Sequence, residues 1–267
     1  MVSLFDYCVE KNIEFRIYKK KPFDFSEYFI SSHYNWSFSD SDYENICESE
    51  SIHIWLDNSR NYTGKQWFYQ QKTLNVLAGS NLFKYIIIHY SSPYQLNPKS
   101  FKLLFKPSAQ LKKVLDYHKN KINGDFISVS FRFVNLLSDS NEIVVGYNPL
   151  NYAEQSKLID KNIEILNNIE HKYSDKKILI TSDSYKFINT IEKLNNNKYY
   201  FIKADKIHQH IAFSDHVSKI GITKSYVEFL LISSASAAYQ IQIPPMYESK
   251  FPKWAAALNN VPYYLIN

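Results

Sequence analysis

Glycine is scarce in this chain: five in 267 residues, at Gly64, Gly79, Gly124, Gly146 and Gly221. No two lie close enough to form a Gly-rich dinucleotide fingerprint or a P-loop, which argues against NAD-dependent enzymes and P-loop ATPases. Cysteine is rarer still. Cys8 and Cys47 are too few for a disulfide framework or a zinc site, and both read as buried thiols of a reducing compartment. No apolar run approaches the roughly 18 to 20 residues of a membrane span. The N-terminal stretch lacks a basic segment followed by an apolar one, so no signal peptide is expected. The sequence also holds no His-Glu-x-x-His, no Cys pair and no nucleophile elbow. These absences point to a cytoplasmic protein.

What is present is an ordinary globular composition with 45% hydrophobic and 21% charged residues. Aromatics reach 16%, with 22 Tyr and 18 Phe. An AT-rich coding sequence yields the same bias, and aromatics also line sugar-binding clefts. The net charge of +5 suits an anionic ligand such as a nucleoside diphosphate, or loose attraction to the inner face of a membrane. The lysines are scattered, so no nucleic-acid partner is expected. The run Lys19 to Lys21 reads as a solvated turn before Pro22.

Apolar runs alternate with helical periodicity, which predicts an α/β fold. In the first half, helix is expected over Val2 to Lys11 and Lys65 to Leu77. Strands are expected over Glu14 to Tyr18, Ser51 to Leu56 and Lys84 to Tyr90. A break at Pro107 suggests two domains, 1–106 and 107–267. The second half predicts helices Ser108 to Lys121, Tyr152 to Lys172, Ser184 to Leu194, Ser225 to Ala235 and Lys250 to Leu258. Strands are predicted over Phe126 to Phe133, Lys177 to Thr181, Tyr199 to Lys203, Ala238 to Ile243 and Pro262 to Ile266. Repeated strand–helix units imply a parallel sheet.

Open parallel sheets bind ligands beyond the carboxyl ends of their strands. Three places meet that rule. Arg132 ends the run Ser128-Val-Ser-Phe-Arg; its planar fork matches a diphosphate, and the competing reading is a pair with a structural carboxylate. Ser182 and Asp183 follow a strand and can bond a base or ribose, or cap a helix with Ser184. Ser249 stands as an N-cap before Phe251 and an Ala-rich helix, a phosphate site or a plain cap. Asp40-Ser41-Asp42 has the form of a metal-binding Asp-x-Asp but lies in a polar stretch, where a surface turn is the better reading.

Those three places, in this order and spacing, resemble the fucosyltransferase superfamily with the GT-B fold, which includes α1,2- and α1,6-fucosyltransferases and protein O-fucosyltransferases. The resemblance covers residues 110–267. The family's first motif, His-x-Arg-x-Gly-Asp, aligns Arg132 with its Arg; Ser130, Val134 and Asn135 replace the His, Gly and Asp. Ser182-Asp183 match its second strand end, and Ser249-x-Phe251 before Ala255-Ala256 its last motif. Glu228 stands at the acidic position of its Asp-rich helix. The family's opening strand and Gly-rich loop have no counterpart before Leu4.

The resemblance implies two Rossmann-like domains with parallel sheets, the N-terminal one incomplete. It implies Arg132 on the diphosphate of GDP-fucose or a related nucleotide sugar, and Ser182, Asp183 and Glu228 in the nucleotide site. Ser249 and Phe251 would lie near the phosphates. It further implies inverting transfer to a glycan acceptor, no cofactor and no metal. No general base is assigned, because Asp139, Glu142, His208, His210, Asp215 and His216 all lie in loops. Two alternatives remain open: a degenerate nucleotide-binding or scaffold protein of the same fold, and a phosphosugar enzyme of another family.

Overall fold

The computed structural model describes residues 2–20, 23–46, 51–56, 85–90, 97–139, 148–203 and 219–267. The chain forms two compact units, one from residues 1–18 and 34–100, the other from 19–33 and 101–267.

In the first unit, helix α1 (Val2–Glu10) buries Phe5, Tyr7 and Cys8. The ring of Phe5 lies 5.6 Å from Phe15 and 4.9 Å from Tyr34. Burial pushes the Cys8 thiol up to about 11, as expected of a buried thiol; Cys47 lies outside the described residues. The strand expected over Glu14 to Tyr18 is reduced to one parallel bridge between Ile17 and Ser37. The alternation is real, with Phe15 and Ile17 buried and Glu14 and Arg16 exposed, but only one residue finds a ladder partner.

Asp40-Ser41-Asp42 opens a short exposed helix, α2 (Asp40–Glu44), rather than a turn. Ser39 caps it, and the Asp42 carboxylate accepts the Ser39 N–H at 3.0 Å in a capping box. Strands β2 (Ser51–Leu56) and β3 (Tyr85–Tyr90) pair in parallel, Ser51 opposite Tyr85. The helix expected over Lys65 to Leu77 lies outside the described residues.

The second unit begins with a single helical turn at Phe25–Glu27 and strand β1 (Phe29–Ser31). Helix α3 (Pro98–Leu104) bridges the boundary between the units and leads to strand β4 (Phe105–Pro107), which pairs antiparallel with β1. Ser108 then caps α4 (Ala109–Ile122). Strand β5 (Phe126–Phe131) is buried at every position, as a central parallel strand must be. Helix α5 (Tyr152–Lys172) has the predicted bounds, fixed by an Asn151–Glu154 capping box. Strand β6 (Lys177–Ser182), helix α6 (Tyr185–Lys193) and the two-residue strand β7 (Tyr199–Tyr200) follow. The chain closes with α7 (Lys219–Ile232), β8 (Ala238–Ile241), α8 (Phe251–Leu258) and β9 (Tyr263–Ile266).

Helix α7 starts six residues before the predicted Ser225. The hydroxyls of Thr223 and Ser225 donate to the carbonyls of Lys219 and Gly221, so this polar stretch satisfies itself within the helix. Strand β7 is shorter than the predicted Tyr199 to Lys203 because it is an edge and pairs only through two residues.

The five strands form one parallel sheet in the order β7-β6-β5-β8-β9. In chain order this is 3-2-1-4-5, a Rossmann-like half that reverses direction between β5 and β8. Ile127, Val129 and Phe131 of β5 join Ile178, Ile180, Tyr239 and Ile241 in one apolar cluster with Leu158 and Leu166 of α5 and Phe187 of α6. Phe187 is fully buried, its ring 4.5 Å from Phe131 and 4.9 Å from Phe133. It therefore props up the carboxyl end of the central strand. Phe187→Ala is expected to cost about 3–5 kcal/mol, the range for truncating a buried ring, as read from urea unfolding.

Candidate functional site

The site grows from the carboxyl end of β5, where the strand stops being buried and Arg132 emerges. The Arg132 guanidinium lies 3.2 Å from the Asp183 carboxylate, with 27% of the Arg side chain exposed against 7% for Asp183. The two oxygens of Asp183 also accept the backbone N–H groups of Phe133 at 2.8 Å and Val134 at 2.7 Å. Val134 sits at φ 56°, in the left-handed region that a β-branched residue enters only under constraint. Its place matches the Gly of the motif in the resemblance above. The turn a glycine would make freely is made here by a valine whose amide is held.

A second carboxylate runs the other way. Asp139, at the far end of the segment after β5, accepts the Ser184 hydroxyl and the Lys186 N–H, both at 2.8 Å. Ser184 is the N-cap of α6 and accepts the Phe187 N–H at 3.1 Å. The first turn of α6 is thus served by the chain's own hydroxyl and carboxylate. The Ser182 hydroxyl accepts the Ser184 N–H at 3.0 Å.

Beyond β8 the chain passes a cis Pro244-Pro245 bond, and the Tyr247 N–H donates to the Arg132 carbonyl at 3.3 Å. This bond ties the last sequence-predicted place to the first. The cap of α8 differs from expectation. Lys250, not Ser249, is the N-cap residue; Ser249 accepts the Phe251 N–H at 3.3 Å. Pro252 in the first turn brings no N–H, so the hydroxyl serves the amide beside it. The Phe251 ring packs on Phe229 of α7 at 5.5 Å.

Glu228 lies buried on α7, 3.1 Å from Lys224 one turn earlier. Burial raises its carboxyl above the usual range, against the pull of Lys224. Lys224, Ser182 and Ser184 line a hollow of about 160 Å3 with Tyr185, Asn189 and Lys203. The structure therefore joins Arg132 to Asp183 directly, sets Ser182 on the hollow beside them, and connects Glu228 to that hollow through Lys224. Ser249 and Phe251 reach the centre only through Tyr247.

Sequence reading missed Lys224, Tyr247 and the capping role of Asp139. The four-residue spacing from Lys224 to Glu228 is a helical pair signal, hidden because the helix was expected to start at Ser225. Of the loop acids and histidines, Asp139 is engaged at α6; Glu142, His208, His210, Asp215 and His216 lie outside the described residues. Among the described residues no group of three or more His, Cys, Asp or Glu could hold a metal ion, and no helix is long and apolar enough to cross a membrane.

No protein-family model and no curated protein matches the sequence. Solved structures do share its fold. The α1,6-fucosyltransferase NodZ co-crystallised with GDP aligns with a TM-score of 0.59 at 12% identity, over 96% of this chain and 86% of that one. NodZ fucosyltransferase from Bradyrhizobium gives the same TM-score, identity and coverage. POFUT1 in complex with GDP aligns with a TM-score of 0.55 at 9% identity, over 100% of this chain and 93% of that one. The α/β fold is that of these fucosyltransferases.

Ser184→Ala removes both the α6 cap and one of the donors to Asp139. It is expected to destabilise the protein by about 0.5–2 kcal/mol, read from the shift in urea midpoint.

Proposed function

We propose that the protein is a fucosyltransferase-like glycosyltransferase that binds GDP-fucose or a related nucleotide sugar and transfers the sugar to a glycan acceptor with inversion. The observation that carries this is the position of Arg132. It stands at the carboxyl end of the central strand, where the sheet order reverses and a parallel sheet opens its ligand crevice. The GDP and GDP-fucose complexes of the fold neighbours support the same donor.

In this reading Arg132 binds the diphosphate, and its fork neutralises the charge that develops as GDP leaves. Ser182 and the Glu228–Lys224 pair serve the nucleoside end from the hollow. Ser249, before α8, serves the phosphates through its hydroxyl. Charge is met by protein donors, with no metal required. An acceptor hydroxyl attacks the anomeric carbon as the glycosidic bond to GDP breaks, and its proton passes to a base.

A second reading is a nucleotide-binding protein of this fold without turnover. Ser130 favours it. This residue stands at the family's His position, yet it is 6% exposed and accepts the Thr181 hydroxyl at 2.8 Å, so it presents no proton acceptor at the strand end.

GDP and GDP-fucose are expected to raise the melting temperature with EDTA present, and UDP- and CMP-sugars to leave it unchanged. At a hundredfold excess over Kd the gain is about 2.7 kcal/mol. Absence of any shift with guanine nucleotides would sink the donor assignment. Release of GDP from GDP-fucose in the presence of a glycan acceptor separates the transferase from the non-catalytic reading. Arg132→Ala should weaken GDP binding strongly but measurably, shrinking the GDP shift, while the unliganded protein stays folded.

A further inference from the structure

We propose that Asp183 is a positioning residue for Arg132: it fixes the guanidinium and the turn beneath it, and does not itself touch the nucleotide. This rests on the GDP-sugar reading of the site and replaces the expectation that Asp183 lies against the nucleoside.

The carboxylate is already turned to the chain. One oxygen accepts the Phe133 N–H and the other the Val134 N–H, and the second oxygen also faces the Arg132 guanidinium at 3.2 Å. That occupies three of the roughly four lone-pair positions of a carboxylate. Asp183 is also the more buried member of the pair, its side chain 7% exposed against 27% for Arg132. A diphosphate is repelled by a carboxylate and attracted by a guanidinium, so the charge of Arg132 and not that of Asp183 suits this ligand.

The backbone needs the same carboxylate. A left-handed Val costs about 1–3 kcal/mol and persists only when its surroundings over-determine it. The two held amides, Phe133 and Val134, follow Arg132 immediately, so the bonds that pin the turn also pin the residue carrying the guanidinium. Asp183 is braced in turn, because Asp139 holds its neighbour Ser184 and the Lys186 amide. Two loops thus exchange carboxylates, and Arg132 stands where they meet.

Calorimetric titration of the full chain with GDP and with guanosine tests this. Asp183→Asn removes the charge facing Arg132 and one acceptor oxygen while keeping the side-chain shape. The expected result is a loss of about tenfold or more in GDP affinity, with guanosine affinity within about twofold of wild type. In an Arg132→Ala background the same substitution should change GDP affinity by less than about twofold, because a residue that acts through its partner has nothing left to act on. A parallel loss for guanosine would show direct contact with the nucleoside and overturn the proposal. So would losses that simply add in the double variant, or an unchanged GDP affinity. If Asp183→Asn does not fold, Arg132→Lys keeps both amide bonds and the positive charge but removes the fork. It should bind GDP about as weakly as Arg132→Ala, and wild-type affinity in Arg132→Lys would refute alignment by Asp183. A wild-type protein that binds neither ligand removes the GDP-sugar reading itself, and this inference with it.

Discussion

The Asp183 carboxylate joins two strand ends that lie 50 residues apart in sequence, and the rest of the site is arranged around that junction. Hydrogen bonds to a charged group contribute about 1.5–3 kcal/mol each. Two such bonds to the amides after Arg132 are enough to offset the left-handed strain at Val134. They act together with the Tyr247 N–H on the Arg132 carbonyl and the turn bond from the Leu136 N–H to the Phe133 carbonyl. The reciprocal bond from Asp139 to the cap of α6 makes the arrangement mutual. Each loop has turn or cap bonds of its own, and each is also held by an acid from the other.

That mutual dependence explains which parts were legible in the sequence. Helix α5 has its predicted bounds because its signals are local: a cap, a reciprocal Glu three residues on, and an apolar stripe. The strand ends carrying Arg132 and Ser182–Asp183, read separately in the sequence, lie on strands that pair with each other. Which atom bonds which was not legible. The sequence alone left Arg132 between a diphosphate and a structural carboxylate, and the carboxylate turned out to be Asp183, another of the candidate residues. A pairing across 50 residues depends on strand order, which periodicity does not encode. The same limit hid Lys224, because hydroxyls that bond back to their own helix make Lys219–Lys224 read as loop. It also turned the alternation of Glu14 to Tyr18 into a single bridge, since alternation describes a face and not a partner.

The departures from the fucosyltransferase motif then differ in consequence. At Val134 the backbone conformation that a glycine would supply is retained by force, so the change there leaves the turn intact. At Ser130 the side chain is built into the sheet through Thr181, and the strand end has no imidazole. Binding geometry and proton transfer are therefore separable in this chain. The turn at Val134 is kept by compensating contacts, whereas the side chain at Ser130 is committed to Thr181.

The charges around the strand ends follow the same logic. Arg132 faces Asp183 at the strand end, and of the described residues lining the hollow Lys224 faces Glu228 and Lys203 faces Glu192. Such pairs cancel most of the long-range field, and the net charge of +5 does little to concentrate an anionic ligand here. What they leave intact is direction. A paired guanidinium is held in one orientation by its acid. At the end of β5 that orientation rests on Asp183, whose carboxylate binds the protein's own backbone amides as well as the guanidinium.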